Sequence, residues 1–129
     1  MKDRGRADPS AKLRANLFGS RAEWIATAWL LARGYQVLAR NFAVKGGEID
    51  IVVRRGATIA FVEVKARREF EQAVISIQEA KRRRTSRAAK AWLTRNPWAI
   101  NSTLRGDAVF ISPWRLPHHA VAAYALNIY

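Results

Sequence analysis

The chain contains no cysteine, which excludes disulfides and thiolate metal sites. Long apolar runs are also missing: none reaches the roughly 20 residues needed to span a bilayer. The opening MKDRGRADPS is basic but lacks the apolar stretch of a secretion signal. These absences suit a reducing compartment, and a cytoplasmic location is expected. Acidic residues are scarce, with 10 Asp and Glu against 23 Lys and Arg, for a net charge of +13. Such an excess favours a polyanionic partner. An anionic membrane surface or ribosomal RNA would meet the same charge, but nucleic acid is the usual case, since Lys and Arg displace counterions from phosphates. Nucleic acid, with no membrane, is therefore the expected partner.

Half of the 129 residues are hydrophobic. That length fits one domain, with a core that needs no metal or disulfide staple. Residues 1–10 read as a flexible basic tail and 11–129 as a single domain. From Ala11 to Arg33 strong helix formers run without proline. At a helical period Leu13, Leu17, Trp24, Ile25, Ala28, Leu31 and Ala32 share one stripe, which predicts the core-facing side. Glu23 falls off that stripe. Gly34 is a stop signal. Three strands are predicted at 35–42, 48–54 and 58–66, joined by turns at Lys45-Gly46-Gly47 and Arg55-Gly56-Ala57, which argues for a meander. A second helix over 74–95 ends at Asn96-Pro97. A fourth strand covers 103–111. The segment holding His118, His119 and Tyr124 follows two prolines and is left untyped.

Charged residues interrupt the apolar strands. Strand side chains alternate between faces, so Ile59, Phe61, Glu63 and Lys65 share one face and Ala60, Val62 and Val64 the other. In the preceding strand Glu48 and Asp50 share a face, opposite Ile49, Ile51 and Val53. Counting back from the turn at Gly56 brings Asp50 opposite residue 62 or 63, which makes Asp50 and Glu63 candidate cross-strand neighbours. Two close carboxylates repel unless something positive lies between them. Lys65 offers one charge, and a divalent cation such as Mg²⁺ or Mn²⁺ would offer more. A cation-bound water is a nucleophile for phosphodiester hydrolysis, and the Lys65 ammonium is placed to orient it or to stabilise the phosphorane. Taken singly, Glu-x-Lys is also an ordinary salt bridge at a strand end, and Asp50 an ordinary polar residue on an open face.

On the second helix Arg83, Arg84, Arg87 and Lys90 cluster on one side, opposite Thr85, Ala88, Ala89 and Trp92. They read as contacts to a phosphate backbone, which carry no base information. Lys81 points toward the apolar side, either into a cleft as a phosphate ligand or snorkelling out to water. Trp24, Trp29 and Trp92 read as packing residues, while Trp98 and Trp114 are looser candidates for stacking on bases. His118 and His119 are adjacent on an extended segment and point apart, which argues against a shared metal.

The Asp…Glu-x-Lys arrangement on a hairpin, after a helix carrying a Glu, resembles the restriction-endonuclease-like, or PD-(D/E)XK, nuclease superfamily. More closely, GGEIDIV, FVEVKARR, Lys81 and RGDAVFI resemble the bacterial YraN family, over Phe18 to Tyr124. The resemblance implies an α/β fold in the order α-β-β-β-α-β with a central mixed sheet, similar to archaeal Holliday-junction resolvases. It implies a DNA endonuclease selecting structure rather than sequence, or a binding module that keeps the fold. Asp50, Glu63 and Lys65 would form the metal and water-activating set. Glu23 would match the first-helix carboxylate as a further catalytic and metal-holding residue. A homodimer is also implied. Two departures stand out: Ala22-Glu23 where the family commonly has Gly-Glu, and Arg105-Gly106-Asp107 where it commonly has Arg-Phe-Asp.

Overall fold

The computed structural model describes residues 9–66 and 79–128, with side chains from Arg21 in the first helix and from Arg82 in the second. Residues 1–8 of the expected tail, the expected helix start at 74–78 and the side chains of Leu13, Leu17 and Lys81 lie outside that description. Helix α1 (Pro9–Ala32) begins two residues before the expected position, with proline in its first turn, where a missing N–H is tolerated. It ends where expected. Gly34 has φ 89°, and the Gly34 and Tyr35 N–H groups, at 3.0 Å each, donate back to the carbonyls of Leu31 and Leu30. That paired closure satisfies helix-end acceptors.

The strands follow as β1 (Gln36–Val44), β2 (Gly47–Arg55) and β3 (Thr58–Ala66), then helix α2 (Glu79–Arg95), a 3₁₀ turn at Pro97–Asn101, β4 (Thr103–Ile111) and β5 (His118–Tyr124). They form one mixed sheet in the order β1-β2-β3-β4-β5. Only β3 and β4 run parallel among neighbouring strands. The order α-β-β-β-α-β and the mixed sheet match the restriction-endonuclease-like core expected from the sequence. The untyped segment is the edge strand β5; its neighbours Pro113 and Pro117 hid a run whose pattern is neither clearly alternating nor helical. No described helix is long and apolar enough to cross a membrane.

The two helices cover opposite faces. Ala60, Val62, Ile51 and Val53 pack with Ala22, Ala26 and Leu30 of α1. Ile59, Phe61, Ile49 and Val52 pack with Ala88, Ala89, Trp92 and Leu93 of α2. Alternation in β3 and the apolar side of α2 follow the sequence reading. Two expectations are corrected. In β2, Ile49 lies on the α2 side while Ile51 and Val53 lie on the α1 side, because the backbone departs from regular pleating here. Asn41, between the pairs Arg40↔Ile51 and Phe42↔Ile49, has φ 53°, a left-handed conformation that asparagine tolerates. In α1, the stripe Trp24, Ile25, Ala28, Leu31 faces outward: Trp24 is 62% exposed and Leu31 53%. The buried stripe is Ala22, Ala26 and Leu30, since small side chains let the helix approach the sheet closely. Hydrophobicity on both sides of the helix made the wrong side look like the core.

Candidate active site

The site begins where the sheet divides. The last pair between β2 and β3 is Ile51↔Val62, one step before Asp50 and Glu63. Beyond it β2 stays paired with β1, through Ile49 to Gly47. On the other side β3 stays paired with β4, from Glu63 to Ala66. The strands therefore part at the two acids. The Asp50 side chain spans the opening, its Oδ2 accepting from the Val64 N–H at 2.8 Å. This places the Asp50 carboxylate against the backbone of the Glu-Val-Lys triplet, as the hairpin count expected.

Glu63 and Lys65 are 4% and 8% exposed, and Lys65 Nζ lies 3.9 Å from Glu63 Oε2. Burial removes the reading of a solvated salt bridge at a strand end. In that environment a charged group needs several partners to offset lost hydration. Glu23 approaches from α1, with Arg40 4.0 Å from its Oε1. Burial first, and then the charge of Asp50, raise the Glu23 carboxyl above its ordinary range, against a hydrogen bond with Asn41. The structure thus brings Glu23 within the electrostatic reach of Asp50.

Sequence reasoning missed Tyr124. Its hydroxyl donates to the Phe61 carbonyl at 2.6 Å. Burial pushes its phenol well above the usual tyrosine range, and the charges of Glu63, Asp107 and Asp50 push the same way. An untyped edge strand gave no means of placing it. Asn41 and Arg40, which flank Glu23, were also missed; their only signal is a polar interruption in β1.

The cationic helix is partly engaged with the fold itself. Arg87 Nη1 donates to the Gly46 carbonyl at 2.8 Å, and Arg84 Nη2 lies 3.6 Å from Glu48 Oε2. Both side chains remain at the surface with Arg83 and Lys90. Trp92 is buried as expected, but Trp24 is not, and the Arg40 guanidinium lies 4.2 Å over its ring. Trp98 packs edge-on against Trp92 at 6.2 Å, and Trp114 projects fully into solvent. The two histidines do point apart. His118 stacks on Phe110, whereas His119 Nε2 lies 2.7 Å from Asp107 Oδ2.

Asp107 belongs to a separate buried group. Arg105 donates to both of its oxygens, at 2.8 and 2.9 Å, and also to the Tyr35 hydroxyl at 2.7 Å. Gly106 beside it has a packing reason: an added Cβ would meet the Tyr124 ring at 2.6 Å and the Tyr124 carbonyl at 2.8 Å. Tyr124 occupies the space that a side chain at 106 would need.

Asp50 and Glu63 supply hard carboxylate oxygens of the kind Mg²⁺ takes. Among the described residues no three His, Asp or Glu side chains come together as a metal cluster. The two carboxylates are oxygen donors of the type that hard cations take, and Asp50 Oδ2 already accepts from the Val64 N–H.

Residues 22–111 match a family model described as uncharacterised protein family UPF0102. A UPF0102 protein of Methylobacterium nodulans is 52% identical over 122 residues, covering 93% of this chain and 95% of that protein. One from Methylorubrum extorquens is 52% identical over 122 residues, covering 94% and 95%. One from Rhodopseudomonas palustris is 44% identical over 125 residues, covering 95% of each. The matched span holds Glu23, Asp50, Glu63 and Lys65, so the acids and the amine lie inside the part that relates this chain to others. The chain belongs to the UPF0102 family, which is the YraN family.

Proposed function

We propose that the protein is a metal-dependent endonuclease that hydrolyses DNA phosphodiester bonds and selects its substrate by structure rather than sequence. The observation that carries this reading is the parting of β2 and β3 at Asp50 and Glu63, with Lys65 buried beside them. The resemblance to the PD-(D/E)XK nucleases and to archaeal Holliday-junction resolvases supports it. Asp50 and Glu63 would hold Mg²⁺ or Mn²⁺, with Glu23 joining directly or through water. The bound cation supplies a Lewis acid and an acidified water. Lys65 hydrogen-bonds the attacking water and stabilises negative charge on the phosphorane. Lys81, Arg83, Arg84, Arg87 and Lys90 hold the backbone. A homodimer, implied by the resolvase likeness, is checked by sedimentation of the purified chain.

The test is cleavage of branched, flapped and single-stranded DNA with Mg²⁺ or Mn²⁺. Lys65→Ala and Asp50→Ala should each lower the rate by about 10²-fold or more. Equal cleavage by both variants would assign the activity to a contaminant. One observation favours a second reading, a non-catalytic nucleic-acid-binding module. Asp50 accepts from the Val64 N–H and Lys65 faces Glu63, so the charged set is partly satisfied by the fold itself. Calorimetry that finds no Mg²⁺ binding dependent on Asp50 and Glu63 would select it.

A further inference from the structure

Along the outer side of α2 run three adjoining cavities. One, of about 180 Å³, is lined by Arg83, Ser86, Arg87, Lys90 and Asn127. A second of about 180 Å³ shares Arg83, Ser86 and Asn127 with it and adds Arg82. The third, of about 390 Å³, shares Lys90 and is otherwise lined by Leu93, Thr94, Pro97, Ile100 and Ile128. Shared walls make them one trough. Its far wall is the segment after β5, held to the helix by the Asn127 N–H, which donates to Ser86 Oγ at 2.9 Å.

The trough is cationic at one end and apolar at the other. No Asp or Glu is among the described residues lining it. Arg83, Arg87 and Lys90 stand four and three residues apart, so their side chains leave the helix along one line, with Cβ atoms at roughly 5–6 Å steps. From Arg83 to Leu93 the helix rises roughly 15 Å. Arg87 donates one N–H to Gly46, and a guanidinium carries five. A row of cationic side chains beside an apolar slot matches a phosphodiester strand, which carries a charge and a flat base in each unit. The aliphatic slot beyond Lys90 is large enough for a flat apolar-faced ring.

We propose that this trough binds single-stranded nucleic acid, with phosphates along Arg83, Arg87 and Lys90 and one base in the slot formed by Leu93, Pro97, Ile100 and Ile128. The proposal rests on the nucleic-acid reading above but not on cleavage. It adds a strand-binding surface on the outer side of α2, with Ser86 and Asn127 as the floor and a base pocket that electrostatics alone does not require.

The test is fluorescence anisotropy of the full chain with a labelled single-stranded oligodeoxynucleotide in EDTA, over a salt series. Arg83→Ala combined with Lys90→Ala should weaken binding and reduce the slope of log affinity against log salt by about two. Ile100→Ala should weaken binding several-fold for the normal strand while leaving an abasic strand unchanged. These three positions are at the surface, and circular dichroism checks that the variants fold. Wild-type affinity retained in all of them would overturn the trough, and with it the backbone contacts given to Arg83 and Lys90, while the hydrolytic roles of Asp50, Glu63 and Lys65 would stand on the cleavage test alone. Failure of the wild type to bind any strand would overturn the trough, and the cleavage assay on branched and flapped DNA with Mg²⁺ or Mn²⁺ would decide the nuclease reading separately. Displacement by polyglutamate as effective as by unlabelled strand would make the trough an acidic-peptide site and overturn the proposal.

Discussion

Asp107 shows what one buried carboxylate needs. Its side chain is fully buried, and both oxygens are doubly used: Oδ1 accepts from Arg105 Nε and the Ala122 N–H, Oδ2 from Arg105 Nη2 and His119 Nε2. All acceptor sites of a carboxylate are thereby filled. Burial alone would raise its pKa, but the hydrogen bonds from His119, Arg105 and Ala122 outweigh it and hold the carboxyl below its ordinary range. A depressed folded pKa means that this group's contribution is present above the unfolded value of about 3.9 and is lost as pH falls through the lower folded value. Asp107→Asn should therefore lower stability at pH 7 by about 3 kcal/mol, because it leaves buried donors poorly matched. Its loss of stability below about pH 4 should also be shallower than the wild type's, as urea unfolding at several pH values measures. Tyr124 shifts the other way. Its phenol should ionise later than free tyrosine in an absorbance titration, and Tyr124→Phe should remove that late step. An aspartate inside DAVFI was visible in the sequence, but its distant partners His119 and Ala122 were not, nor was Tyr35, which accepts from Arg105; only the sheet brings them near.

At the scale of elements, each helix meets the sheet through small residues. Gly47 lies under α2, where an added Cβ would overlap the Arg84 carbonyl and crowd the Ala88 nitrogen at 3.0 Å. Neither is the end of a flexible side chain, so Gly47→Ala should force α2 outward and lower stability by about 1–3 kcal/mol in thermal or urea unfolding. The orientation of α1 gives a paired test. Ala26 is fully buried and Leu31 is half exposed. Ala26→Leu should destabilise by about 1–3 kcal/mol through overpacking, whereas Leu31→Ala should stay within about 0.5 kcal/mol. The reverse result would restore the apolar stripe as the buried face. The positions of β3 and β4 were legible because each is rich in β-branched and aromatic residues and follows a turn or helix-stop signal. The buried face of α1 was not, because a helix apolar on both sides has no periodic signal that points inward. The face switch in β2 was hidden as well, since regular alternation was assumed through Asp50.

For the whole molecule, charge and the divided sheet set the expectations. A net charge of +13 predicts that DNA affinity falls steeply with salt, linearly in logarithmic form. If Asp50 and Glu63 hold a cation, Mg²⁺ at 100 times its dissociation constant should add about 2.7 kcal/mol of stability. Asp50→Asn should abolish that gain, which a thermal-shift titration measures with no substrate present. An unchanged Mg²⁺-dependent shift in the variant would remove Asp50 from the metal site.

The sequence by itself determined the order of elements, the hairpin that opposes Asp50 to Glu63, and the cationic side of α2. These depend on turn chemistry and periodicity, which act over a few residues. Only the tertiary structure decided which side of α1 is buried, that β2 and β3 separate at the two acids, and that β5 delivers Tyr124 and His119 to the sheet. Those outcomes depend on contacts between residues far apart in the chain, where close packing and the partners of buried charges select one arrangement from several that local pattern allows.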